Sequence, residues 1–209
     1  MDNKTGNDFL EEIRSFVTPK LSGKRITHTL SVEEETARLC GIYCPEKKIP
    51  LRAAAILHDV TKELGDDEQL KLCVKYGILG AEELKRSPNC FHAKTGEALS
   101  REMFGDRLGE EYLSAIGYHT TGRENMTISE KILYLADYIE PERKFRDCVI
   151  IREHFYSMLE KHTPEDKVRV LDETLLYSFD LTIEDLIREK KIIAPDSIHA
   201  RNYLCNRVL

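Results

Sequence analysis

The run Ala53-Ala54-Ala55-Ile56-Leu57 leads directly into His58 and Asp59, with Lys62 one helical turn beyond. An imidazole and a carboxylate side by side at the end of a buried segment suit a divalent metal, because neutral nitrogen and anionic oxygen are its ordinary ligands. The dipeptide alone is weak, since His-Asp pairs arise by chance in chains of this size. Its company gives it weight. His28, His92 and His119 sit on or beside segments with helical apolar spacing. Asp137 falls within the most apolar helical run, among Ile132, Leu133, Leu135, Ala136 and Ile139. An aspartate in such surroundings is costly to bury unless it is paired or bound to metal. Four histidines and two carboxylates exceed what one ion needs. Two ions would use all six, with His28, His58 and Asp137 on one, His92 and His119 on the other, and Asp59 as the bridge.

Cationic and hydroxyl side chains accompany this set. Arg25 precedes His28 by three residues, so the two project from one helix face. Lys62 follows His58 by four, Lys94 lies close to His92, and Arg143 comes just after the Asp137 helix. The segment His119-Thr120-Thr121-Gly122 has two readings. Its hydroxyls and glycine suit hydrogen bonding and close backbone approach to a phosphate, and they equally suit a helix C-terminus with a glycine cap. Lys94 likewise reads either as a phosphate contact or as a solvated surface lysine. His154, His162 and His199 lack acidic or apolar context and read as surface histidines. The six cysteines are scattered without a Cys-x-x-Cys pair and read as reduced structural thiols.

The elements that must position these residues are all helical. The spacing predicts helices over 8–17, from the Ser22 cap to about Cys44, and from Leu51 through His58 and Asp59. Pro45 to Pro50 reads as a charged connector between the last two. Further helices are expected over 68–76, over 81–86, from Phe91 to near Gly105, and over 108–118. Thr127-Ile128-Ser129-Glu130 is a capping box that opens the Asp137 helix, which Pro141 ends. Helices over 151–159, from Thr163 to about Tyr177, over 182–189, and after Pro195-Asp196 complete the chain. No alternating strand pattern, Gly-x-Gly-x-x-Gly loop, Walker loop or repeat is present. The expectation is a single all-α domain over residues 1–209. Its metal-binding core would span about 20–145, with helices from about 150 to 209 packed on it.

With 209 residues, 41% of them hydrophobic and 33% charged, the chain has the composition of an ordinary globular protein. A net charge of -6 argues against binding a nucleic-acid polymer, while leaving room for a small anion held by local cations. No apolar stretch approaches the length of a membrane span, and the first residues carry no secretion signal, so a cytoplasmic location is expected.

The order His…His-Asp…His…His…Asp resembles the HD-domain phosphohydrolases, an all-α, metal-dependent superfamily. Within it, several segments resemble the YqeK family of symmetrical dinucleoside tetraphosphatases. They are Arg25-x-x-His28, Leu57-His58-Asp59-x-x-Lys62, His92-Ala93-x-x-Gly96, His119-Thr120-Thr121-Gly122 and Leu135-Ala136-Asp137-Tyr138-Ile139-Glu140-Pro141-x-Arg143. The resemblance implies an HD-type helical bundle with additional C-terminal helices. It implies symmetric cleavage of diadenosine tetraphosphate to two ADP by a metal-bridging hydroxide. The two ions would be iron, with manganese or cobalt as alternatives. His28, His58, Asp59, His92, His119 and Asp137 are the implied ligands. Asp59, Lys62 and Arg143 are the candidates for catalysis, and Arg25, Lys62, Lys94, Thr120, Thr121, Gly122 and Arg143 for holding substrate. A homodimer is compatible with this reading. Two alternatives stay open: a single-ion HD nucleotidase or nucleoside-triphosphate hydrolase using only His28, His58, Asp59 and Asp137, and a non-catalytic nucleotide-sensing module.

Overall fold

The computed structural model describes residues 3–78 and 90–208. Among them are ten α-helices, short 3₁₀ turns and no strand. The helices are α1 (Asn3–Val17), α2 (Gly23–Tyr43), α3 (Lys48–Leu57), α4 (Asp66–Lys75), α5 (Phe91–Leu108), α6 (Glu110–Tyr118), α7 (Ile128–Ile139), α8 (Arg146–Lys161), α9 (Lys167–Arg188) and α10 (Pro195–Val208). The short helix expected over 81–86 lies outside the described residues.

The centre of the bundle is α3, whose residues Leu51 and Ala53 to Leu57 are all buried. It packs against α1, α2 and α6, and α7 closes the other side of α2 and α6. Leu39, Leu51, Ile56, Leu57, Leu113, Ile116, Ile132 and Leu133 are fully buried where these helices meet. Each such side chain contributes about 1.5–3 kcal/mol on leaving water. The capping box behaves as expected at the start of α7. The Thr127 N–H donates to Glu130 Oε2 at 2.6 Å, and the Glu130 N–H donates to Thr127 Oγ1 at 3.3 Å.

Several boundaries differ from the sequence expectation. Helix α3 begins at Lys48, so Pro50 lies in its first turn, where the missing N–H had no helical acceptor anyway. The same helix ends at Leu57, and His58 and Asp59 follow in tight turns rather than on the helix. There the Val60 N–H donates to the Leu57 carbonyl and the Lys62 N–H to the Asp59 carbonyl. The two helices expected over 163–177 and 182–189 are one continuous helix, α9, after a 3₁₀ turn at Pro164–Asp166. Its buried residues Val170, Leu171, Leu175 and Phe179 continue the same stripe across the expected break. Helix α8 also starts earlier than expected, at Arg146, with Cys148 of its first turn already buried.

Helices α8 and α10 pack on α9, which also touches α7. The Phe179 ring of α9 stacks on Tyr134 of α7 at 4.7 Å between centroids. Lys131 of α7 pairs with the buried Asp172 of α9, whose other oxygen accepts from Arg207 Nε of α10 at 3.0 Å. These contacts hold α7, and with it Asp137, against the C-terminal helices. Among the described residues, no helix is long and apolar enough to cross a membrane.

Candidate metal centre

The six candidate ligands arrive from five places in the chain and converge. His28 comes from α2, His58 and Asp59 from the turn after α3, His92 from the first turn of α5, His119 from the end of α6, and Asp137 from α7. Helix α5 approaches the His58 turn closely at Gly96, where an added Cβ would sit 3.4 Å from the His58 carbonyl oxygen. The start of α5 is tied down by Thr61 Oγ1, which donates to the His92 carbonyl at 3.0 Å.

The two oxygens of Asp59 face different histidines. Oδ2 lies 3.7 Å from His28 Nε2 and 3.5 Å from His58 Nε2, while Oδ1 lies 3.2 Å from His92 Nε2 and 3.7 Å from His119 Nε2. Asp137 Oδ1 completes the first group, 3.1 Å from His28 Nε2 and 3.7 Å from His58 Nε2. Ligand atoms around one ion at 2.0–2.2 Å stand roughly 3–3.5 Å apart, so these separations suit coordination. His58 stands between the groups, since its Nε2 also belongs with Asp59 and His119.

Tautomers are set by what lies behind each ring. His58 Nδ1–H donates to the Ala55 carbonyl at 2.6 Å, and His119 Nδ1–H donates to the Ile116 carbonyl at 2.7 Å. His28 Nδ1–H donates to Glu140 Oε1 at 3.0 Å. Each bond turns an Nε2 lone pair inward, as metal-binding histidines require. Among the described residues the buried Nε2 of His58 has no hydrogen-bond partner, a costly state that a cation would relieve. The donor set fits a metal. His92 differs from the others: Lys62 Nζ lies 3.2 Å from its Nδ1, and among the described residues no carbonyl or carboxylate hydrogen-bonds that atom.

Charge is arranged to match. Burial works against ionising Asp59 and Asp137. The surrounding histidines outweigh it for Asp59, and Arg143 with His28 and His58 for Asp137, so both carboxyls stay well below the usual range. Burial also opposes charging of His28, but bonding to Asp137 and Glu140 raises it to about 9. Burial lowers His92 to about 4. A ligand histidine must be neutral, so below pH 9 an ion entering beside His28 displaces a proton. Metal affinity should therefore fall by up to about tenfold for each pH unit below 9 and level off above it. Calorimetric titration in buffers of different ionisation enthalpy should register about one proton released near pH 7.5.

The other expected residues divide. Arg25, Lys62, Thr120, Thr121 and Arg143 line a cavity of about 750 Å³ that opens from Asp59, His92, His119 and Asp137. Arg25 Nη1 donates to Asp59 Oδ2 at 2.7 Å, and Arg143 Nη2 donates to Asp137 Oδ1 at 2.6 Å. The Thr120 hydroxyl is buried beside Cys90. Lys94 is not part of this cavity. Its ammonium lies over the Tyr118 ring at 3.2 Å, a cation–π contact in place of the expected phosphate contact. Gly122 is not part of it either: its N–H donates to the Tyr118 carbonyl at 2.8 Å, and its φ is +60°. An added Cβ would come within 2.5 Å of Phe179, so glycine is required there by packing and backbone conformation, not by phosphate.

Three contributors escaped the sequence reading. Glu140 orients His28, and its second oxygen accepts the Glu142 N–H at 2.6 Å. An acid just before Pro141, three residues after Asp137, was the available signal. Arg152 of α8 donates to the carbonyls of Ile139, Glu140 and Arg143, fixing the turn that carries both Glu140 and Arg143. Nothing local marks Arg152, which is thirteen residues from the first of these partners. The third is the far wall of the cavity, which comes from α9 and the segment after it.

The HD domain model matches residues 25–142, a span that begins at Arg25 and contains all six converging side chains. The chain belongs to the HD-domain family. A crystal structure described as a predicted HD superfamily hydrolase involved in NAD metabolism, from Clostridium acetobutylicum, superposes with a TM-score of 0.80 at 36% identity, covering 94% of this chain and 97% of that one. Proteins named bis(5'-nucleosyl)-tetraphosphatase, symmetrical, are similar over nearly the whole length. The Bacillus subtilis protein is 31% identical over 93% of this chain and 96% of its own, and the Staphylococcus aureus protein 32% identical over 93% of each. This HD-domain protein is a hydrolase, and its histidines and aspartates form a cluster suited to a metal.

Proposed function

We propose that this HD-domain hydrolase cleaves dinucleoside tetraphosphates, diadenosine tetraphosphate among them, symmetrically into two nucleoside diphosphates at a two-ion centre. The observation that carries the reading is the placement of buried Asp59, with one oxygen toward His28 and His58 and the other toward His92 and His119. The relatives named as symmetrical tetraphosphatases support the substrate class and the cutting point. Iron, manganese or cobalt would suit the mixed nitrogen and oxygen donors. When bound, a pair of such ions supplies an acidified water and electrostatic stabilisation of the phosphoryl oxygens.

The protein's own groups do the rest. Negative charge grows on the phosphoryl oxygens during attack, and fixed cations at the cavity wall oppose it at no cost in reorganisation. Arg25 and Arg143 are held in place by the ligand carboxylates, and Lys62 is largely buried, which lowers its affinity for its proton. The Thr120 hydroxyl, on the cavity wall, would donate to a phosphate oxygen. The test is product analysis on diadenosine tetraphosphate with defined metal content. Two ADP are expected. ATP plus AMP would overturn the symmetric cut, and the absence of turnover with iron, manganese or cobalt would overturn the activity.

A single-ion reading draws on one contact, Lys62 against His92, which leaves that histidine without the backing the other three have. Under it, His92 and His119 touch phosphate only. One ion per chain, unchanged in His92→Ala, would favour it.

A further inference from the structure

The metal centre occupies one end of the 750 Å³ cavity, and the family model's match ends at residue 142, before the other end begins. That wall is built by the last two turns of α9, the segment after it and the first turn of α10, through Thr182, Leu186, Lys190, Ile192 and Ser197, with Tyr138 of α7 lining the same cavity. Its chemistry is mixed in a particular way. Leu186 and Ile192 offer apolar surface, and Ile192 is 53% exposed although it belongs to no core. Lys190 stands beside them, and among the described residues no carboxylate pairs with it.

Lys190 is also in an unfavourable conformation. Its φ is +54°, in the left-handed region, directly after α9. The Lys191 N–H donates to the Leu186 carbonyl at 2.9 Å, the helix-ending bond that usually has glycine at the residue before. Among the described residues only Asn125 shares a positive φ without being glycine, and asparagine tolerates that region well. A lysine has no such tolerance. Its use here costs stability that glycine would spare, and the position puts its side chain on the cavity.

We propose that this wall is the subsite for one nucleoside diphosphate half of the substrate, with the base against Leu186, Ile192 and Tyr138 and Lys190 on the phosphate remote from the metal centre. The assignment rests on the function proposed above. An apolar surface with a few placed polar groups suits a base, and an unpaired ammonium suits a phosphate as a point charge.

The experiment compares the wild-type protein with Lys190→Gly and Ile192→Ser, using ADP and adenosine as calorimetric probes, with thermal melting alongside. Lys190→Gly should raise Tm by about 2–4 °C, because glycine relieves the left-handed strain. It should weaken ADP by about tenfold and leave adenosine unchanged. Ile192→Ser, at an exposed position, should weaken both probes by a similar factor. Wild-type affinity for ADP in both variants, in a protein that still cleaves diadenosine tetraphosphate, overturns the subsite and leaves the activity standing. Equal loss of ADP and adenosine in Lys190→Gly overturns the phosphate role. A wild-type protein that neither binds ADP nor cleaves the tetraphosphate overturns both readings together.

Discussion

Asp59→Ala should lower kcat/KM by about 10³-fold or more and leave less than one bound ion per chain. Both groups of nitrogen donors face this carboxylate, since Oδ2 lies toward His28 and His58 while Oδ1 lies toward His92 and His119. Its loss removes an anionic ligand from each group at once. Metal ions supply several kcal/mol of transition-state stabilisation, and each 1.36 kcal/mol is a factor of ten. His92→Ala is the informative contrast. It should release chiefly the ion between Asp59 Oδ1 and His119, because the other group keeps all its donors. His58→Ala is less clean, for its Nε2 stands between the groups and serves both. Elemental analysis of each purified variant, with melting curves to verify folding, separates the cases. Two ions retained in Asp59→Ala would sink the bridging assignment.

Gly122→Ala should destabilise the fold by about 2–4 kcal/mol. A left-handed φ costs an alanine about 1–2 kcal/mol, and forcing a methyl into a filled site adds about 1–3 kcal/mol. Both conditions hold: φ is +60°, and the new Cβ would meet Phe179 at 2.5 Å and Ala200 at 3.2 Å. Because Phe179 in turn stacks on Tyr134 of α7, the strain falls on the contact between the helices that carry the candidate ligands and the C-terminal ones. For a chain of this size the shift in Tm is about 5–15 °C. Turnover by the remaining folded protein should keep its KM. A raised KM at unchanged Tm would restore Gly122 to the phosphate site.

The sequence reading and the fold part company in instructive places. His58 and Asp59 were expected on a helix, because the apolar run before them continues the helical period; the chain instead leaves the helix at Leu57 and turns. Periodicity reports burial, and a buried turn that contributes ligands reads like a buried helix. Lys94 was a reasonable phosphate candidate next to His92, yet neighbours on a helix diverge by about 100°, and Lys94 turns to Tyr118. Arg152 reaches carbonyls as far as thirteen residues away, a relation no local pattern can announce.

What the sequence by itself determined is the class of structure and the kind of chemistry. Helical spacing of apolar residues sets an all-α bundle, and aspartate within such spacing must be paired or bound to a cation, because its desolvation is otherwise too costly. Residue type and apolar context single out the six candidate ligands and the way they could be shared between two ions. The tertiary structure decided the facing of individual atoms. Which Asp59 oxygen meets which histidine depends on how α2, α5, α6 and α7 approach the turn after α3. That approach is set by packing of side chains far apart in the chain, such as Leu39, Leu57, Ile116 and Ile132. It likewise decided that Gly122 serves packing and that a left-handed Lys190 faces the cavity, since both follow from what lies across a gap rather than along the chain.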